Sequence, residues 1–389
     1  MKKFIKLGLV AGLLSSNLLA QDTIKIGFVG TLSGANAAWG TSNVRSMETS
    51  AEIYNKQGGV EIAGKSYNIE IVPFDDAFDP KVAVAGMEKM AQQGIKYVVG
   101  PNDDAQAIAV KPIAERNHIA YFPYAFSKSL YTKPANYAVF GMIASYQWEP
   151  SVYKWLQENK DVKSISFIAA NTSDSLNQRD NGLKIAKDLG LDIIEAKSTY
   201  KADTRDFFSV ITPIIKKKPD LLVLSGVSPA AAPLIIKTAR QLGFKGYMAA
   251  GTALDAGILE EGAGDAANGF ICQGGADASI QSETMKNWIA EYTKKYGEYN
   301  DESNTKVFAL EYILAVMKSN PKAIDNADEF LKTVDSGWSA PNLFFKDKNA
   351  KLKFVGKSSF GQNRQLGVPL TPKIYENGKF KTLFVGSAD

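Results

Sequence analysis

From Thr23 onward the chain alternates short apolar runs with longer amphipathic ones, and no other feature limits its possible folds so strongly. Ile24, Ile26, Phe28 and Gly30 alternate as a half-buried strand does, and Val44, Met47, Ala51 and Tyr54 recur at helical spacing until Gly58-Gly59 ends the helix. Residues 67–74 read as the next strand, 80–93 as a helix opened by Pro80, 97–100 as a short buried strand, 105–117 as a helix and 120–122 as a strand. Strand and helix alternating in this way imply a parallel sheet with helices on both faces. A break at residues 137–149, which includes Tyr146 and Trp148, precedes a second series. Its strands fall at 164–169, 193–199, 221–225 and 247–250, with helices near 177–189, 207–217 and 230–242. The expected fold is therefore α/β with two doubly wound, Rossmann-like lobes. A mainly helical region at 283–296, 304–318 and 325–334 is too short to stand alone and is expected to pack back on one lobe.

Residues 1–20 are set apart from this pattern. Met1, Lys2, Lys3 and Lys6 form a basic start, residues 7–14 an apolar run and residues 15–20 a polar-then-small stretch ending at Ala20, the arrangement of a secretory signal peptide cleaved before Gln21. The apolar run is shorter than the ~20 residues a membrane span needs. Gln21 stands where a lipoprotein would carry Cys, so the expected location is the periplasm, without a lipid anchor. Three of the net +4 charges leave with the leader, and the remaining +1 does not describe a nucleic-acid binder. The chain of 389 residues has one His and one Cys, which cannot make a His/Cys zinc cluster or an internal disulfide. Cys272 has no second cysteine with which to form a disulfide, so stability is expected to rest on the core. His118 lies at a helix-to-strand corner with no second His or Cys to complete a catalytic set, and no metal, cofactor or enzymatic activity is expected.

Several segments also carry a family resemblance. Ile24-Lys25-Ile26-Gly27, Leu32-Ser33-Gly34, Trp39-Gly40, Asn55-Lys56-Gln57-Gly58-Gly59-Val60, Gly64-Lys65 and Asp75-Asp76-Ala77-Phe78-Asp79-Pro80 follow in an order and spacing similar to those of leucine/isoleucine/valine-binding proteins, the type I periplasmic solute-binding proteins of ABC importers. The likeness continues through Gly94-Ile95-Lys96-Tyr97-Val98-Val99-Gly100 and Ala239-Arg240-Gln241-Leu242-Gly243. It implies two lobes joined by a three-strand hinge and closing on a ligand, with crossovers near 142–145, 271–274 and 354–365. The N-terminal lobe would comprise residues 21–143 and 274–360, and the C-terminal lobe 144–273 and 361–389. A monomer that delivers a small organic ligand to the permease subunits of an importer is the expectation. A sensor feeding a chemoreceptor and a true branched-chain amino-acid binder are the alternatives.

The resemblance also assigns site positions. The family's cleft aromatic corresponds to Trp39. The serine that holds the ligand carboxylate corresponds to Asp104, beside Asp103, and two acids are poor receptors for a carboxylate. Asp103 or Asp104 also suits a helix N-cap, with the amide of Ala105 at that helix start facing the cleft. The family's Ala/Thr-rich loop reads Tyr124-Ala125-Phe126 here, with Phe126 at the threonine position, and the glutamate that anchors the ligand ammonium falls on Gly251. These departures point away from an ordinary α-amino acid. Trp39, Tyr124, Phe126, Tyr146 and Trp148 suit an aromatic ring or a cationic amine, with packing as the other reading for Tyr146 and Trp148. Arg179, in a segment 171–180 read as a long loop that also carries Asp174, is a candidate clamp for a carboxylate.

Overall fold

A computed structural model describes residues 21–134, 136–274, 280–297, 299 and 306–386; the expected leader, residues 1–20, lies outside the described residues. The first sheet has the order β2-β3-β1-β4-β5, built from β1 (Asp22–Gly30), β2 (Val60–Ile62), β3 (Lys65–Asp75), β4 (Tyr97–Val99) and β5 (Ala120–Phe122). β1 runs parallel to β3 and β4, β4 runs parallel to β5, and only the edge strand β2 is antiparallel. Helices α1 (Ala37–Lys56), α2 (Pro80–Gln92) and α3 (Asp104–Arg116) connect them. Ile26, Phe28, Val98 and Val99 are fully buried, as covering both faces of a parallel sheet requires.

After α4 (Ser145–Lys160), the second series follows as β6 (Ser164–Ala170), α5 (Ser173–Asp188), β7 (Asp192–Tyr200), α6 (Phe208–Ile215), β8 (Leu221–Ser225), α7 (Ala232–Gln241), β9 (Tyr247–Ala250), α8 (Ala256–Ala263) and β10 (Phe270–Gln273). These strands form the parallel part of a sheet ordered β15-β14-β10-β9-β8-β6-β7, completed by antiparallel β14 (Pro372–Glu376) and β15 (Lys379–Thr382). The helical region, α9 (Glu283–Tyr296), α10 (Phe308–Ser319) and α11 (Ala327–Asp335), packs on the first lobe. Trp288 Nε1 donates to Ser50 Oγ at 2.9 Å, Tyr54 donates to Glu311 at 2.5 Å, and the rings of Tyr97 and Phe330 meet edge to face at 5.3 Å.

A small antiparallel sheet of β11 (Ser339–Pro341), β12 (Lys351–Val355) and β13 (Gln365–Leu366) also stays with the first lobe, around the short helix α12 (Lys357–Phe360). Pairing of Phe354 with Leu366, both buried, holds residues 361–366 there. The third passage between lobes therefore runs at 367–371, later than the sequence reading put it. The passages support one another: Phe140 N donates to Arg364 O at 2.7 Å, and Thr371 Oγ1 donates to Gly274 O at 2.6 Å. No described helix is long and apolar enough to cross a membrane.

Candidate functional site: the cleft between the lobes

Each sheet has one place where successive connections leave in opposite directions: between β1 and β4 in the first, and between β6 and β8 in the second. Loops after strands diverge there and leave a crevice beyond the carboxyl ends of the strands. In this protein the two crevices face each other.

From the first lobe, the loop after β1 delivers Trp39 at the start of α1. Gly40 makes this possible, because a Cβ there would lie 1.9 Å from the carbonyl oxygen of Thr31. After β4 the chain turns at Gly100, whose φ of +89° and contact with Val29 O suit only glycine, and then presents Asn102 and Asp103. Asp103 is the N-cap of α3, its Oδ1 accepting from Ala105 N at 2.9 Å. Asp104 Oδ1 accepts from Ser127 N at 2.8 Å, and its Oδ2 accepts from Asn177 of the second lobe at 3.0 Å. The lobes are thus closed on each other.

From the second lobe, Thr172 after β6 caps α5, and Asp174 sits in that helix's first turn. Asp174 Oδ2 accepts from Gln178 Nε2 at 2.6 Å, while Oδ1 is buried with no partner at hydrogen-bond distance among the described residues, the Phe126 amide lying near enough only to ease the carboxyl's charge. Two small chambers result, of about 30 Å³ and 20 Å³ in this closed form, and both are lined by Trp39 and Asp174. The hinge-side chamber adds Asn102, Tyr124, Phe126, Thr252 and Lys306. The distal chamber adds Asp103, Thr172, Tyr200 and Ser228.

Closure brings like charges together. Burial pushes the Asp103 carboxyl up to about 6, with Asp104 and Asp76 adding to the rise against the Ala105 amide. Burial also raises Asp104, and it raises Asp174 further, where Asp104 and Asp103 across the cleft add their repulsion. Asn102, 7% exposed, has neither its amide nitrogen nor its oxygen paired among the described residues. Lys306, 4% exposed, sets its ammonium 4.2 Å from the centre of the Tyr124 ring. Among the described residues no group of His, Cys, Asp or Glu is arranged to hold a metal ion.

Of the residues expected from sequence, Trp39, Asp103, Tyr124 and Phe126 line the chambers. Asp104 is engaged in the bond between lobes. The Ala105 amide is already held by the Asp103 cap, so it is not available to a ligand oxygen. Ala125 is fully buried and its carbonyl accepts from Tyr131. Tyr146 packs edge to face on Phe360 and under Lys128, and lines neither chamber. Gly251 abuts Ser145, and the next residues, Thr252 and Ala253, reach the cavity instead. Arg179 is turned toward Asp180 at 2.8 Å and lines neither chamber; its segment is helix from Ser173, not loop. Thr172, Ser228 and Thr252 were missed, although each follows a parallel strand at its carboxyl end and that rule would have found them. Lys306 had no such signal.

A two-lobed α/β protein with three passages between lobes and a closed polar cleft is built to engulf a small solute. The family model described as periplasmic binding protein matches residues 23–349, and the chain belongs to that family. The Leu/Ile/Val-binding protein of Escherichia coli (strain K12) is 26% identical over 274 residues, covering 69% of this chain and 72% of that protein. In fold, a leucine-binding protein of Thermotoga maritima matches with a TM-score of 0.77 at 17% identity, over 93% of this chain and 98% of that one. A solute-binding protein of an ABC transporter from Rhodopseudomonas palustris BisB5, in complex with 3,4-dihydroxybenzoic acid, matches with 0.75 at 17% identity, over 95% and 98%. The resemblance read from sequence is borne out, and the molecule is a periplasmic binding protein of the ABC-transporter type.

Proposed function

We propose that this protein captures a small organic molecule bearing a protonated amine, closes its lobes over it, and hands it as a monomer to the permease of an importer, making and breaking no covalent bond. The observation that carries this reading is Asp174 Oδ1, buried and unpartnered, in a cleft where Asp103 comes from the opposite lobe. Two carboxylates brought together in low dielectric repel, and a cation between them reverses the sign of that interaction. A ligand that binds the closed state better than the open one shifts the population toward closure. Trp39, Tyr124 and Phe126 add ring faces that attract a cation or stack on a ring. Export by the leader at residues 1–20 belongs to the same reading.

A branched-chain amino acid is the second reading, favoured by the names of the relatives. Delivery to a chemoreceptor rather than a permease would leave uptake intact in a deletion strain while abolishing taxis. The first test is a thermal-shift screen of residues 21–389 against amines, aromatic acids, amides and amino acids. A ligand at 100 times its Kd adds about 2.7 kcal/mol, a melting rise of a few degrees. A rise confined to amine-bearing compounds outside the branched-chain amino acids supports the proposal. A rise with leucine, isoleucine or valine alone overturns it.

A further inference from the structure

We propose that Asp104 and Asn177 form a latch between the lobes, oriented by Asn181, that sets how strongly closure is favoured whichever solute is bound. Asp104 opens α3 in the first lobe and is 2% exposed. Its Oδ1 accepts from Ser127 N at 2.8 Å, in the loop after β5, so the carboxylate is held in place by its own lobe. Its Oδ2 is turned to the second lobe, where it accepts from Asn177 Nδ2 of α5 at 3.0 Å. One turn further along α5, Asn181 Nδ2 donates to the Asn177 carbonyl at 2.9 Å and to Asn177 Oδ1 at 3.4 Å. Occupying that oxygen leaves the Asn177 amide hydrogens for Asp104, whereas a flipped amide would set its oxygen against a carboxylate.

Neither Asp104 nor Asn177 lines a chamber, so their contact depends on how far apart the lobes stand and not on the solute. Opening breaks the bond and returns both groups to water. As a hydrogen bond to a charged group, its net worth is about tenfold or more in the ratio of closed to open molecules. Closure also sets Asp104 against Asp103 and Asp174, and the Asn177 amide offsets part of that repulsion with a donor that brings no charge of its own. A cation in place of Asn177 would oppose the repulsion directly and favour closure without a solute. A neutral donor leaves the last step to the ligand and lets the lobes part again after release. Asn177 is therefore a positioning residue: it favours the arrangement in which Asp103 and Asp174 meet without touching what lies between them.

The test is small-angle X-ray scattering of ligand-free residues 21–389 at pH near 8, comparing Asn177→Lys with Asn177→Asp. The lysine attracts Asp104 and the aspartate repels it, so the closed-to-open ratio of the two variants should differ by about tenfold or more. The expected result is a smaller radius of gyration for Asn177→Lys than for Asn177→Asp, with the wild type at or between the two. Adding Asp104→Asn to Asn177→Lys should return the particle toward the extended size. A purely structural role for Asn177 would lower the melting temperature of both variants and leave their sizes equal. Asn177→Arg carries the same charge and takes the place of Asn177→Lys if that variant does not fold. Equal radii for the cationic and anionic variants overturn the inference, as does a cationic variant that stays compact in the Asp104→Asn background. No ligand enters the measurement, so its outcome stands apart from the amine reading.

Discussion

The cleft and the hinge are both buried and polar, yet the Gln147–Gln365 pair at the hinge and the Asn102 and Asp174 groups of the cleft are in opposite states. Ser145 Oγ, Tyr146 OH and Gln273 Oε1 near the passages also lack partners among the described residues, so the contrast is between those two sets. At the hinge, Gln365 Nε2 donates to Met142 O at 2.8 Å and to Gln147 Oε1 at 2.7 Å, and Gln147 Nε2 returns a bond to Gln365 Oε1 at 2.8 Å. The same Gln147 oxygen accepts from Ala144 N at 2.9 Å. In the cleft, Asn102 and Asp174 Oδ1 have no such partners among the described residues. A buried polar group without a partner costs about 1–3 kcal/mol, so the paired set fixes how the passages lie while the unpaired set stores a cost that a ligand can relieve. The contrast separates groups that shape the protein from groups that read its solute.

The largest effect that sharpens this contrast is expected from Asp174→Asn. Losing one partner of a buried charge pair should weaken binding of an amine-bearing ligand by about 2–4 kcal/mol. The melting temperature should hold or rise, because repulsion across the cleft is relieved. Unchanged affinity by calorimetry would break the comparison.

Glu149 offers a case between the two regions. It is 1% exposed in the second lobe, and burial pushes its carboxyl from 4.5 up to about 8 despite the nearby Tyr153 hydroxyl. The folded state therefore holds this proton more tightly than the unfolded state, and stability falls as pH rises from about 4.5 to about 8. Glu149→Gln should add roughly 2–4 kcal/mol at alkaline pH and little at pH near 4.5, measured by urea unfolding at both. Equal effects at the two pH values would remove the buried charge as the cause.

At the hinge, Gln365→Ala strands the Gln147 amide and the Met142 carbonyl. It should destabilise the protein by about 1–3 kcal/mol in urea while changing ligand affinity less than Asp174→Asn does. The reverse ranking would make the hinge pair part of ligand recognition. The smallest effect is a pH dependence of binding. Protonated carboxyls do not attract a cation, and burial raises both Asp103, to about 6, and Asp174, so amine affinity should fall as the pH drops through about 6 and go on rising, not level off, above it while Asp174 gives up its proton. The fall should be at most about tenfold per pH unit for one displaced proton.

The strand–helix alternation made most of the fold legible, because buried parallel strands and one-sided helices write their periods directly into the apolar residues. The elements that escaped are instructive. β2 and β11 have three residues each and β13 has two, and none is a continuous apolar run like those that made the equally short β4 and β5 legible. The start of α5 was read as a loop because its buried face is Asp174, Ser175, Gln178 and Gly182, with no apolar stripe. Polarity hid that helix, and that polarity faces the cleft. Trp39, Asp103 and Phe126 were reached through the family's motif positions. Arg179 and Tyr146 were assigned from residue type alone, and type does not say which way a side chain turns. Lys306 comes from a distant segment that only tertiary packing brings to the cleft.

The central claim is that closure gathers carboxylates from both lobes and that a cationic ligand is what allows it at neutral pH. Small-angle X-ray scattering of residues 21–389 tests this directly, comparing ligand-free protein at pH near 8 and near 5 with the protein at pH near 8 plus an amine that scores in the thermal screen. The account predicts an open, more extended particle without ligand at the higher pH, and a compact one on acidification or on adding the amine. A ligand-free particle as compact at the higher pH as with the amine would contradict it.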